Sequence, residues 1–283
     1  DGQTASGSVT ITIVDDVPTA EVDTNSVAAG SNGPVSGNVL TNDVQGADGV
    51  VVVGVQVGAG DVQAIGTDTV VNGQYGVLTI SADGSYSYAR TPGTPGGVSD
   101  VFTYTIEDGD KDTSVSTLTI TLGNVPPTVG EPNEPATANV TATVNEKGLA
   151  PRGAEPGGSG EMADGNGAND SDKSEATTGT IAFTSKDGVG SVTLGTVALG
   201  TDAATAVTVQ DDGTGTLKAY YEFDAATGAG TVHYSYVLKD NVAHADADGT
   251  NSLSLPQVGL VVTDADGQTA SGSVTITIVD DVP

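Results

Sequence analysis

The sequence predicts an all-β chain of small β-sandwiches joined in tandem, and therefore elongated; three observations point there. Apolar and polar residues alternate strictly in short runs, as in Val9, Ile11 and Ile13 against Thr10 and Thr12, the two-residue period of a half-buried strand. The first 18 residues, DGQTASGSVTITIVDDVP, return unchanged at Asp266 to Pro283, so the chain reads as one 265-residue period of a longer array. Hydrophobic residues make up only 36% and aromatics 4%, with 40 Gly, which gives thin cores of Val, Ile, Leu, Ala and Thr that suit small sandwiches better than one large globule.

A looser third copy of the ending, STLTITLGNVP at Ser116 to Pro126, places boundaries near Pro18, Pro126 and Pro283, 108 and 157 residues apart. Residues 1–17 then form the last strand of a preceding repeat, 18–125 one sandwich, and 126–283 a larger sandwich with an insertion at 147–178. In the first sandwich, strands are expected at Ala20 to Val27, Val35 to Leu40, Val50 to Val57, Asp68 to Val71, Gly76 to Ser81, Ser85 to Ala89, Val101 to Glu107 and Ser114 to Leu122. Ala82-Asp83-Gly84-Ser85 between LTIS and YSYA is a hairpin turn, because Asp-Gly tolerates positive φ. In the second, strands are expected at Ala138 to Val144, Thr180 to Ser185, Ser191 to Leu194, Ala206 to Gln210, Thr216 to Phe223, Gly230 to Leu238, Ser254 to Thr263 and Ser271 to Val279. The insertion is Gly, Pro, Ala, Asp and Asn with almost nothing apolar, so its acids Asp164, Asp170, Asp172 and Glu175 read as solvated.

Charge and composition exclude several functions. With 37 acidic against 8 basic residues the formal charge is -29, which excludes a nucleic-acid partner because phosphate contacts need clustered Lys and Arg. There is no Cys, hence no disulfide and no thiol nucleophile, and any stapling must come from oxygen ligands. No apolar run reaches the ~18 residues of a membrane span, so direct membrane insertion is not expected, and Asp1-Gly2-Gln3 does not open a secretion signal.

Certain motifs resemble known repeats. GNVLTND at 37–43 and YGVLTISADGSYSYARTPGTPGGVSDVFTYTIEDGDKD at 75–112 resemble the VCBS and cadherin-like repeats of very large bacterial surface proteins. VNEKGLAP at 144–151, FTSKDGVGSVTLG at 183–195, FDAATGAGTVHYSYVLKDNVAH at 223–244 and VVTDADGQTASGSVTITIVDDVP at 261–283 are similar to a tandem domain of type I secreted RTX adhesins. The resemblance implies Ig-like, cadherin-like domains in series: an extracellular extender region that holds a distal binding tip away from the cell and rigidifies with calcium. The RTX nonapeptide itself is missing, with only Gly157-Gly158-Ser159-Gly160-Glu161 faintly like it, so a calcium-filled β-roll is not expected in this segment.

Independently of that resemblance, the acids cluster where chain topology can use them. The loop before a sandwich's last strand lies at its incoming end, beside the linker from the preceding domain. For the first sandwich these are Asp108, Asp110 and Asp112 with the linker residues Asp15 and Asp16, and Asn42, Asp43 and Asp48 reach the same end. For the second, Asp264 and Asp266 precede the last strand and Asn124 lies in the linker; Glu146, Asp240, Asp246 and Asp248 are further candidates, while Asp280 and Asp281 would serve a following domain. Carboxylates ~4 Å apart repel by roughly 4 kcal/mol at an effective dielectric of about 20, so a cation between them is expected. Ca²⁺ accepts six to eight oxygens in irregular geometry, Mg²⁺ demands a near-ideal octahedron and Zn²⁺ wants nitrogen or sulfur, which selects calcium. No loop is an EF-hand, since position twelve after Asp108 is Thr119 rather than Glu.

Catalysis is not expected. Only His233 and His244 could serve as a neutral-pH base, and no nucleophile elbow, Walker loop or zinc motif is present. The tyrosines at 86, 88, 104, 220, 221, 234 and 236 alternate within strands and read as core or cross-strand pairs. The expectation is a non-enzymatic, monomeric stalk segment whose partners are the adjacent repeats of its own chain, serving cell adhesion and biofilm formation at the bacterial surface. The alternative is a recognition module that grips a glycan or protein with the insertion.

Overall fold

A computed structural model describes residues 2–12, 16–131, 134–149, 174–242 and 251–280. Among them the chain is built of strands, with three 3-10 turns as the helical content. It divides into two compact units: Asp1–Val27, Gly33–Arg90 and Ser99–Thr121 form the first; Ala28–Asn32, Thr91–Val98 and Leu122–Pro283 form the second.

The first unit is a two-sheet sandwich. Its strands are β1 (Asp23–Val27), β2 (Val35–Asn38), β3 (Val50–Val57), β4 (Gln63–Ala64), β5 (Thr69–Asn72), β6 (Gly76–Ile80), β7 (Ser85–Arg90), β8 (Ser99–Asp108) and β9 (Thr113–Leu122). One sheet runs β1-β9-β8-β3-β4 and the other β2-β7-β6-β5. Alternation does what the sequence promised: Phe102, Tyr104 and Ile106 of β8 and Leu118, Ile120 and Leu122 of β9 are buried on one face. Tyr88 meets Phe102 edge to face at 6.1 Å, and its hydroxyl donates to Asp100 Oδ2 at 2.7 Å, so a polar tip is satisfied inside the core. β1 begins three residues later than expected. The amides of Ala20 and Glu21 donate to side chains, Ser114 Oγ at 3.0 Å and Asp43 Oδ1 at 2.8 Å, instead of joining a ladder.

The β6–β7 hairpin turns on Gly84 at φ 79°, whose amide donates to Ser81 O at 3.0 Å. A Cβ there would lie 2.6 Å from both Asn38 Oδ1 and Leu40 Cγ. Gly84→Ala should therefore destabilise the first unit by about 1–2 kcal/mol, read as a lower denaturant midpoint at unchanged slope.

The second unit is also a sandwich. Its strands are β10 (Thr128–Val129), β11 (Asn139–Asn145), β12 (Ala176–Thr184), β13 (Val189–Leu194), β14 (Val197–Ala198), β15 (Val207–Asp211), β16 (Gly215–Asp224), β17 (Ala229–Leu238), β18 (Ser252–Ser254), β19 (Val258–Asp264) and β20 (Thr269–Val279). The sheets run β10-β12-β17-β16-β15 and β11-β20-β19-β13-β14, with β18 also on β20. Between them lies a core of Val, Ile and Leu around Phe183, Tyr234 and Tyr236, with Phe223 stacked on Phe183 at 6.2 Å. β12 starts four residues before the expected Thr180, because the Thr-rich run Ala176–Thr180 carries no apolar alternation yet pairs with β17 throughout. The run expected as one strand from Ser254 to Thr263 is two, β18 and β19, separated around Pro256, which has no N–H for a ladder.

The opening segment is expected to complete a preceding repeat, whose other strands lie outside these 283 residues. Residues 2–12 form no strand, and Val9 and Ile11 are 89% and 82% exposed. Its identical copy falls in β20, where the matching Val274 and Ile276 are 0% and 3% exposed beside β11. A strand needs neighbours to bond with, and the same residues pair only where such neighbours flank them.

Candidate metal centre

In the first unit the β8–β9 loop gathers carboxylates. Lys111 takes φ 86°, Asp108 and Asp112 close the loop through Asp108 N to Asp112 O at 3.1 Å, and Asp112 N donates to Asp108 Oδ1 at 2.8 Å. This brings three acids together: Asp108, Asp110 and Asp112 each present an oxygen within 4.8 Å of the others, with Asp108 buried and Asp110 exposed. Lys111, in the same loop, pairs with Glu107 at 2.6 Å. Asp48 joins this end, since its Cβ is 3.1 Å from where a Cβ on Gly109 would be and β3 starts at Val50 opposite Asp108.

The other predicted residues of this unit divide. Asp16 is exposed and its Oδ2 accepts from Ala47 N at 2.9 Å; Asp15 lies outside the described residues. Asn42 is spent on structure, donating to Val22 O at 3.1 Å. Asp43 is half-buried, accepts from Glu21 N at 2.8 Å, and keeps a buried Oδ2 without a hydrogen-bond partner. Beside it stands Asp23, an acid the sequence reading passed over, which accepts the Tyr104 hydroxyl at 2.8 Å. Burial raises both Asp23 and Asp43 above the ordinary carboxylate range. Asp23 was hidden because its strand position looked like a solvent-facing one.

In the second unit the acids sit in the turn between β19 and β20. Asp264 ends β19, is 2% exposed, and takes the Gln268 amide on Oδ1 at 2.6 Å. Its Oδ2 and the Gln268 Oε1 are both buried without a hydrogen-bond partner. Burial first, and the adjoining Asp266 carboxyl second, raise Asp264 to about 6. Two carboxyls and an amide oxygen turned into one turn, with no donor supplied to two of the oxygens, form a donor set that fits a hard cation. Asp187 reaches the same end of this sandwich, since Val189 pairs with Asp264; it is wholly buried and accepts from Val125 N at 2.7 Å. Its Asp-Gly pair reads as an ordinary turn in sequence, and only the fold buries it. Asn124 is exposed in the segment before β10.

Glu146 and Asp240 belong elsewhere. β11 and β20 are parallel, with Asn145 opposite Val279, so Glu146 follows the far end of β20 whereas Asp264, Asp266 and Gln268 precede its start. The 11-residue strand between them spans about 33 Å, an order of magnitude beyond the 2.3–2.6 Å of a calcium–oxygen bond, so the two groups cannot share an ion. Glu146 is buried and accepts from Val242 N at 2.6 Å, and Asp240 caps Asn241 N at 2.9 Å. Glu175, expected to be solvated, instead keeps a buried Oε2 near Gly148 at this end, while its carbonyl accepts from Leu238 N. Asp246, Asp248, Asp281, His244 and residues 150–173 of the insertion lie outside the described residues. His233 stacks on Tyr220 at 4.6 Å with Nε2 3.5 Å from Glu222 Oε2.

Residues 15–124 match the family profile of the bacterial cadherin-like domain. The match contains the Asp108 cluster and the linker acids before it. Cadherin-like domains are extracellular modules of a structural or adhesive kind and typically bind calcium. Among the described residues no helix is long and apolar enough to cross a membrane. No curated protein matches the chain. Among solved structures, Drosophila N-cadherin EC1-4 aligns at 12% identity and TM-score 0.26, over 94% of this chain and 51% of that one. A Bacteroides ovatus protein of the mixed-linkage glucan utilization locus, SGBP-B in complex with a mixed-linkage heptasaccharide, aligns at 11% identity and TM-score 0.25, over 93% and 48%. The chain thus spans about half the length of each of these two proteins.

Proposed function

We propose that this chain is a non-enzymatic extender segment of a large bacterial surface adhesin, exported by type I secretion like the RTX adhesins, in which calcium between successive sandwiches stiffens a stalk that projects distal binding domains for cell adhesion and biofilm formation. The observation that carries this reading is the recurrence of one device in both sandwiches. The turn before the last strand gathers carboxylates, Asp108, Asp110 and Asp112 in one and Asp264 with Asp266 in the other, where a buried Asp264 Oδ2 has no hydrogen-bond partner. Asp48 and Asp16 at the first turn, and Gln268 at the second, would complete the oxygen shells. When bound, calcium supplies the positive charge these oxygens lack, and the chain's own residues supply position: the positive φ of Lys111 and of Gly267 lets the turns curl, and the flanking ladders hold the acids in register. Linker acids such as Asp16 would share the ion and so remove hinge freedom between domains. The 265-residue recurrence supports a length-setting role, since a unit repeated along an array sets reach.

Small-angle scattering tests this directly. The maximum dimension is expected to increase and the profile to sharpen toward a rod on adding millimolar calcium to chelated protein. An unchanged dimension, with no calcium heat in calorimetry, would leave the acids as solvated turns.

A further inference from the structure

We propose that the outer face of the second sandwich carries a shallow binding site for an uncharged oligosaccharide, built on the paired rings of Tyr220 and His233. Strand register makes the site. Thr180 of β12 lies opposite His233 of β17, and His233 opposite Tyr220 of β16, so one row across three strands reads Thr, His, Tyr. The next row on the same face reads Thr178, Ser235, Lys218, about 6.6 Å further along the strands. Small hydroxyl side chains beside two rings leave a hollow of about 260 Å³ that both rows line. Ala219 and Tyr234, which come between the rows, are buried toward the core, so the floor of the hollow is backbone.

The platform is in place before any ligand arrives. The two rings lie 4.6 Å apart at an angle of 4°, and Glu222 Oε2 stands 3.5 Å from His233 Nε2. That ring separation is close to the distance between neighbouring strands, so the ladder itself sets the stack and little order is lost on binding. Val207 pairs with Ala219, which sets the small, exposed Ala206 beside Tyr220. β15 therefore places no bulky side chain over that ring. A second hollow of about 480 Å³ shares Thr180 and continues past Ala182 and Thr231 to Asn139 and Thr141 of β11.

Chemistry selects the ligand. A sugar ring has a face of C–H groups, which packs on the electron-rich face of an aromatic ring, and a rim of hydroxyls, which bond best with groups that both donate and accept. Thr178, Thr180 and Ser235 supply such groups. A polyanion is disfavoured, because Lys218 is the one Lys or Arg lining the first hollow, Glu131 lines the second, and the chain carries a charge of -29. The first hollow is smaller than the roughly 300–1,000 Å³ of pockets for drug-sized ligands, which suits a single ring, and two hollows in line suit a chain of rings. None of the acids in the two metal-binding turns lines either hollow, so this inference does not rest on calcium.

The test is a titration of the full chain in chelator, followed through the histidine ring signals in NMR. Only His233 and His244 contribute to these, and His233→Gln assigns them. The probes are the linear hexasaccharides of β-1,4-linked glucose, mannose and N-acetylglucosamine, with hexagalacturonate as the anionic control. At least one neutral probe should shift the His233 signals along a saturable curve in the millimolar range, and the anionic one should not. Tyr220→Leu, which keeps an apolar side chain on the strand but removes the ring, should weaken that binding about fivefold. Thr180→Val, which keeps the shape and loses the hydroxyl, should weaken it about threefold and serves if the first variant does not fold. The absence of a shift from all three neutral probes overturns the proposal, as does binding that the folded variants leave unchanged, or a shift from hexagalacturonate alone. The affinities are expected to be the same with calcium present, so a failure here and a failure of the calcium reading are separately visible.

Discussion

Calcium added to the chelated protein should raise the melting transitions of both sandwiches, by about 2.7 kcal/mol per site when free ion is 100 times Kd, or on the order of 10 °C for a unit of this size. The discriminating experiment is a sign change. Asp110 shares the loop with Asp108 and Asp112, their oxygens within 4.8 Å of one another, and an isolated pair at that separation repels by roughly 3 kcal/mol at an effective dielectric of about 20. Asp110 is exposed, so solvent screens much of this. Asp110→Asn should therefore stabilise the first sandwich in chelator, by less than about 1 kcal/mol, and destabilise it in calcium by about 1–3 kcal/mol through the lost ligand. Calorimetry of wild type and variant, with and without chelator, reads both signs. A solvated-turn role would move the two conditions in the same direction.

The second expected result concerns pH. Asp264 is raised from 3.8 to about 6 in the folded second sandwich, through burial and then Asp266. A raised carboxyl holds its proton more tightly folded than unfolded. Its contribution to stability is fully present below pH 4 and is lost as pH rises through about 6. Chelated protein should accordingly lose roughly 2–3 kcal/mol from the second sandwich between pH 4 and pH 7. Asp264→Asn, which cannot ionise and keeps an oxygen for the Gln268 amide, should flatten that slope. Calcium should oppose the loss, since the ion takes the place of the proton, and its stabilisation of this sandwich should be larger at pH 7.5 than at pH 5. A chelated second sandwich whose melting temperature rises across this window would mean that Asp264 ionises freely and is not held in a site.

Much of the acidic clustering is legible in the sequence. Asp108, Asp110 and Asp112 were placed together by their spacing and by the rule that the turn before the last strand faces the incoming chain, and the fold brings their oxygens into one cluster. Asp264 and Asp266 followed from the same rule in the second sandwich. Asp23 and Asp187 were not readable, because each looks like a surface residue until Tyr104 or the buried β12–β13 turn closes over it. Glu146 lies a full strand length from Asp264, because β11 runs parallel to β20, and the sequence alone does not show at which end of the sandwich it falls.

Local chemistry by itself determined where strands form, which side chains face inward and where the acid-rich turns fall, because alternation, Gly and Pro act over a few residues. What tertiary structure decided is shown by Asp187, an ordinary Asp-Gly turn residue in sequence that the fold buries completely. The neighbours that close over such a residue, and not its own local sequence, settle whether it is solvated or buried. Which carboxylates become a site is set in the same way, by which strands run side by side and in which direction.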